Sequence, residues 1–360
     1  MYNYLLVLLE QGAVPFCHYS NPYYLAPPGE AMSVDELDRL VTYAAEHGIF
    51  LNFLYGKHRL APAAEAIIEG AAHVKLVPPE LHPTYPDSVV VFEADELDSF
   101  PGILSKSSER NVILRATAAD LPRLADIVAA LRGRFRRMNL HLVGQETFTP
   151  VQLERYEAEL EKMARMLADC YRSGEEVEIN VLSDRLLLQE MNNCDAGVRH
   201  LTVAPDGSCH ICPAFYHAGA ASLGHWSDAL SREAANQRLL TIACAPVCSR
   251  CDAYHCKRCV YLNQRTTAEI NVPSRQQCLT AHVERGVSRR LLRSLKTMRP
   301  FDQFPPIPAI AYDDPFDRAM EETWRRDAPL PPGPAVHEND DYLIQIYEMQ
   351  RKILRKLGTD

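Results

Sequence analysis

Apolar residues in the first 190 positions follow two alternating rhythms. Short continuous apolar runs predict strands at 5–9, 50–55, 74–77, 89–92, 112–115, 140–143 and 177–181. Between them, apolar residues recur every three or four positions and predict helices at 33–48, 61–71, 119–134 and 149–172. In the first of these, Ser33 and Glu36 form a capping box, Leu37, Leu40, Val41 and Ala44 make a stripe, and Gly48 ends the helix. The last has Pro150 in its first turn and Leu153, Tyr156, Leu160, Met163 and Leu167 on one face. Strands separated by helices imply βα units, a parallel sheet and right-handed crossovers. An open or partial barrel and a doubly wound sheet both satisfy this pattern.

The rhythm stops near position 194. Loops and turns follow as far as 278, with a short helix expected around 227–240 and a longer one near 279–297. Prolines crowd 300–334, and 342–357 reads as an amphipathic helix that docks on the body or binds a partner. The expected division is therefore a βα domain at 1–190, a Cys-rich domain at 191–298 and a Pro-rich, helical extension at 299–360. A chain of 360 residues exceeds one typical core, which agrees with more than one lobe.

A net charge of −9 argues against nucleic acid as a partner, and the basic run at 284–298 reads as a solvated helix face. No apolar segment is long enough to span a membrane. The apolar start at 4–10 is too short for a signal segment and has no basic flank, so it reads as a buried first strand. A cytoplasmic location is expected, where thiols stay reduced.

Nine of the eleven cysteines lie between 194 and 278, and only Cys17 and Cys170 precede them. Their spacing is that of metal ligands: Cys209-x2-Cys212, then Cys248-x2-Cys251-x4-Cys256-x2-Cys259, then Cys278. One zinc ion takes four ligands and leaves several of these thiols unexplained. A disulfide framework suits neither a reducing compartment nor an odd count. Iron–sulfur clusters take four thiolates per [4Fe–4S], and eight or nine cysteines match two cubanes.

The 194–278 segment resembles a SPASM domain, the auxiliary-cluster module of many radical SAM enzymes. Cys194 is followed by Gly207 and Cys212 at the pattern's spacing, then by Leu223-Gly224-His225, the Cys248–Cys259 run and Cys278. The middle gaps, four and two residues, are each one shorter than the family's usual gaps. The resemblance implies two auxiliary [4Fe–4S] clusters. Cys248, Cys251, Cys256 and Cys278 would hold the outer one, and Cys194, Cys212 and Cys259 the inner one. The inner cluster's fourth position is open to Cys209, on the same turn as Cys212, to Cys244 or to substrate.

A radical SAM barrel carries CxxxCxxC after its first strand. Here the loop reads Cys17-His18-Tyr19-Ser20-Asn21-Pro22-Tyr23-Tyr24, and only Cys17 remains. The Gly-Gly-Glu element after the second strand is replaced by Leu54-Tyr55-Gly56-Lys57. Cleavage of S-adenosylmethionine (SAM) is therefore not expected, and neither is bound SAM. A barrel-like half without its cluster motif, joined to a SPASM-like tail, is similar to the CXXX repeat peptide maturases. That resemblance implies maturation of a ribosomally made, Cys-containing precursor peptide, together with a redox partner or a separate modifying enzyme. Two other roles stay open: a non-catalytic scaffold that delivers the precursor, and a zinc-stabilised binding domain. The substrate groove is expected near 17–24 and 55–58. Cys17 and His18 are candidates for binding substrate or metal there, while His210 and His255 are expected to donate to cluster sulfurs. No Walker loop, GxGxxG, Ser-His-Asp or HExxH pattern occurs.

Overall fold

A computed structural model of the chain describes residues 2–27, 29–99, 108–232 and 236–309. The expected helix at 342–357 and most of the proline-rich stretch lie outside the described residues. Met1–Pro308 form one compact unit.

The elements run β1 (Tyr4–Leu8), α1 (Val34–Glu46), β2 (Phe50–Leu54), α2 (Pro62–Glu69), β3 (His73–Val77), β4 (Val89–Glu93), β5 (Ser108–Ala116), α3 (Leu124–Arg132), β6 (Phe135–Leu142), α4 (Pro150–Ser173), β7 (Glu178–Ile179) and α5 (Asn180–Leu187). The Cys-rich segment adds β8 (His200–Val203), β9 (Cys209–His210), α6 (Pro213–His217), α7 (Trp226–Ala229), α8 (Val260–Thr267) and α9 (Arg275–Leu295).

The sheet order is β7-β6-β5-β4-β3-β2-β1-β8-β9, parallel throughout except for the β8–β9 hairpin. Strand order settles the two alternatives left by the sequence. A doubly wound sheet grows outward from β1 in both directions; here β1 to β7 follow one another in a single direction, as in a barrel. Helices cover one face of the sheet. Leu5, Val7, Leu51, Phe53 and Val77 meet α1 and α2, while Val90, Phe92, Val112, Leu114 and Leu140 meet α3, α4 and α9. Strand alternation turns Leu6, Leu8, Leu54, Leu76, Val91 and Ile113 to the opposite, concave face, where they pack against the loop residues Ala13, Val14 and Tyr24. The edges β7 and β9 are not paired with each other, so the sheet is an open, partial barrel.

Local chemistry explains the element ends. Thr149 and Gln152 form a complete capping box on α4, and Gly174 closes it in the left-handed region at φ 78°. At α1 only half of the expected box forms: Ser33 Oγ accepts from the Glu36 N–H at 3.1 Å. The Glu36 carboxylate is engaged elsewhere, accepting from the Trp226 indole and lying 3.0 Å from His225 Nε2. It thereby ties α1 to the Cys-rich segment. The expected strand at 177–181 shortens to two residues. The Asn180 side chain replaces a backbone peptide, accepting from Leu140 N at 2.8 Å and donating to Leu140 O at 3.1 Å. The Asn180 backbone is then free to start α5.

The expected helix around 227–240 is instead the four-residue α7 followed by a separate 3-10 turn at Gln237–Leu240. The basic run at 284–298 is not simply solvated. Arg285 is buried and donates Nε to Asp252 at 2.5 Å, and Arg290 reaches across to Glu157 and Glu161 on α4.

Candidate functional site

Ligand sites in βα folds lie at the C-terminal ends of the strands, where each strand turns into a loop. In this chain, pairing register aligns Glu93, Arg115 and His141 in one row across β4, β5 and β6 at that end. Arg115 is buried and paired with Glu93, and it also holds the loop after β1. Its Nε donates to Cys17 O at 3.0 Å and its Nη2 to Tyr19 O at 2.7 Å. Burial raises the Glu93 carboxyl to about 7 despite the guanidinium beside it. His18 meets His141 edge to face at 5.2 Å, and its Nδ1 lies 3.0 Å from Leu142 O. Burial lowers the pKa of both rings, holding them neutral.

Asn21 and Tyr24, in the same loop as Cys17, both have structural work. Asn21 donates to Gln11 O at 3.0 Å and Ala13 O at 2.8 Å, which staples the loop. Tyr24 is buried among the concave-face apolar residues, with Lys57 Nζ 4.8 Å from its ring centre. Neither side chain is disposed to hold iron.

All eleven cysteines are free of disulfides. Cys194 and Cys212 pack around the same small core as Phe215 and Val260, and Val260 directly follows Cys259. The Cys194 N–H donates to Lys257 O at 2.9 Å, which draws it to the Cys256–Cys259 turn. Cys212 is the residue immediately before α6, and His217 at the far end of α6 stacks on Tyr19 at 5.8 Å. The loop bearing Cys17 therefore lies against α6. Burial, then the neighbouring Cys259, Cys17 and Cys194, push the Cys212 thiol well up. Burial, followed by Cys17, does the same to Cys259. For Cys17 burial dominates and raises the thiol to about 12.

A second group surrounds the next turn. Burial raises Cys248 to about 11 and Cys256 to about 12, with Cys251 among the neighbours that add to both. His282 Nε2 lies 3.6 Å from Cys251 Sγ, and Cys278 is one turn earlier on α9. The sequence reading did not single out His282; its i, i+4 spacing from Cys278 on a helix was the available signal.

His210 and His255 each have one ring nitrogen engaged, while the Nδ1 of each is buried without a hydrogen-bond partner. His255 Nε2 pairs with Glu284 at 3.0 Å, and His210 Nε2 lies 3.1 Å from Ser208 Oγ. Cys209 stands apart from both groups. Hairpin alternation turns it to the helix-bearing face with Leu201, Val203 and Trp226, where burial alone raises its thiol to about 12. Cys244 is exposed on a short turn, and Cys170 is buried on α4.

The donor chemistry fits cluster ligation. Backbone N–H groups point at two of the sulfurs: Ala253 to Cys251 and Leu262 to Cys259, both at 3.4 Å. Such donors steady thiolates and tune bound clusters. Arg258 lies between the groups, fully buried, donating to Asn193 at 3.0 Å, Asn271 at 2.8 Å and the Leu240 carbonyl. Its φ of 43° is the left-handed kink that closes the Cys256–Cys259 turn. Burial, with neighbouring thiols adding to it, raises the Cys212, Cys256 and Cys259 thiols, and a cluster bound there would supply the positive charge that stabilises their thiolates. Among the described residues, no group of three or more His, Cys, Asp or Glu side chains converges closely enough to hold a metal ion.

A parallel partial barrel extended by a Cys-bearing hairpin and loops is a radical SAM/SPASM-like fold. No family model matches the chain, and no curated protein matches it. Among solved structures, it is similar to native anSMEcpe with bound AdoMet, at TM-score 0.56 and 13% identity over 81% of this chain and 99% of that one. A histidine-tagged form of anSMEcpe with bound AdoMet gives TM-score 0.58 at 13% identity, over 82% and 96%. Native anSMEcpe with bound AdoMet and Cp18Cys peptide gives 0.56 at 13%, over 81% and 99%. At such identity the likeness is one of fold.

Proposed function

We propose that this chain matures a ribosomally made, cysteine-bearing precursor peptide and carries two iron–sulfur clusters in its Cys-rich segment. The observation behind this reading is the placement of the half-buried Cys194, Cys212, Cys256 and Cys259 on neighbouring turns at the strand-end mouth of a radical SAM/SPASM-like barrel, with backbone N–H groups donating to Cys251 and Cys259. Cys248, Cys251, Cys256 and Cys278 form the outer ligand set, and Cys194, Cys212 and Cys259 belong to the inner one. A bound cluster supplies one-electron transfer.

This chain's own residues shape the mouth. Arg115 holds the 17–19 loop in place, and neutral His18 and His141 line the small cavity of about 40 Å³ beside Cys256 and Cys259. A peptide partner is proposed by analogy of fold, since one anSMEcpe structure contains a peptide. A redox partner and a reducing compartment belong to the same reading. Among the described residues no helix is long and apolar enough to cross a membrane.

The chain is not proposed to cleave SAM. Asn21 and Tyr24 stand where two cluster thiolates would be, and both are committed to holding the loop and the concave core. This same feature favours a second reading, delivery of the precursor to a separate enzyme. Anaerobic purification with iron and sulfide assays tests the cluster claim, with about eight of each per chain expected for two cubanes. Zinc without sulfide overturns it. Incubation with a CXXX-repeat peptide and reductant, read by mass spectrometry, is expected to show a shift. Tight binding without a shift selects the delivery role.

A further inference from the structure

The seven thiolates assigned above leave the inner set one short. We infer that Cys17 is its fourth member, joining Cys194, Cys212 and Cys259 in one site shared between the loop after β1 and the Cys-rich segment. The inference rests on the iron–sulfur reading of that segment.

Three separate contacts bring Cys17 there. Arg115 clamps the carbonyls of Cys17 and Tyr19, which fixes the loop over the barrel mouth. Tyr19 stacks on His217 of α6, the helix that begins just after Cys212. His18 lines the same cavity as Cys259, against the turn that also holds Cys194. Electrostatically the thiols are mutual neighbours: Cys17 and Cys194 each act on both Cys212 and Cys259.

The alternatives lack this convergence. Cys209 points into the apolar layer beneath α1 and α7, and Cys244 is exposed on its own turn. The consequence is functional. Four protein thiolates saturate the inner cluster, which leaves no open iron for a peptide and assigns that cluster to electron transfer or structure. Cys17 then has a role of its own, separate from the lost SAM-binding motif.

The test uses the full chain, purified anaerobically. Wild-type protein is expected to carry about eight irons, and Cys17→Ala to fall toward about four or to hold a three-iron inner cluster with its own paramagnetic resonance signal. Added 2-mercaptoethanol is expected to restore the four-iron form of Cys17→Ala, which a misfolded chain does not allow. Cys209→Ala is expected to match wild type.

A second measurement needs no variant. In wild-type protein, iodoacetamide is expected to reach Cys17 only after the clusters are stripped, in step with Cys194, Cys212 and Cys259. Unchanged iron and resonance in Cys17→Ala overturns the inference, as does labelling of Cys17 in the loaded protein. An iron-free wild type instead removes the iron–sulfur reading itself.

Discussion

His200 shows how single residues on the concave face are tuned. It sits on β8 with Tyr4 stacked on it at 4.6 Å, and its Nδ1 is buried without a hydrogen-bond partner. Burial lowers its pKa to about 4, so the folded state holds it neutral. The unfolded chain protonates near 6.5. Its contribution is therefore fully present above about pH 6.5 and is lost as pH falls toward about 4. The difference corresponds to about 3 kcal/mol of stability. His200→Phe keeps the stacking and removes the titration. Urea midpoints measured at about pH 7 and about pH 4.5 are expected to differ less in this variant than in wild type; an equal drop in both refutes the assignment. No pattern in the sequence marked His200, because its burial depends on β8 lying beside β1.

At the element scale, α9 locks the Cys-rich loops to the barrel. Glu284 on α9 accepts from Tyr156 Oη on α4 at 2.7 Å and meets His255 of the Cys256 turn at 3.0 Å. All three groups are buried, so each depends on the others for its hydrogen bonds. Tyr156→Phe deletes one partner and leaves the carboxylate less satisfied. The expected loss is about 1–2 kcal/mol, read from thermal melting. An unchanged melting temperature argues that the contact is not formed in solution.

Helix faces were legible before the structure: the α4 stripe of Leu153, Tyr156, Leu160, Met163 and Leu167 is buried as its 3.6-residue period demands. The β strands were located well, but β5 and β6 run longer than their apolar cores because ladder pairing extends past the apolar residues. The roles of His255 and Glu284 were not legible, since 29 residues and the whole of α8 separate the partners.

At the scale of the whole molecule, the Cys-rich segment completes the barrel. β8 pairs with β1 in parallel, β9 forms the outer edge, and α9 packs against α4 and α5. Without them β1 becomes an exposed, strongly apolar edge, which is an aggregation hazard. A chain ending at residue 190 is therefore expected to be insoluble or to bind hydrophobic dye, whereas 1–309 stays monodisperse by light scattering. A soluble, cooperatively melting 1–190 fragment would show the first lobe to be self-sufficient.

The sequence by itself determined the alternation of strands and helices, the cysteine spacing and the single cysteine in the loop after β1, because these are local properties of residue type and period. Only the tertiary structure decided the single direction of strand winding, the turning of Cys209 into an apolar layer and the approach of Cys17 to Cys194, Cys212 and Cys259. Those outcomes depend on which strand pairs with β1 and which face each residue then presents, and residues so far apart along the chain leave no periodic trace of their meeting.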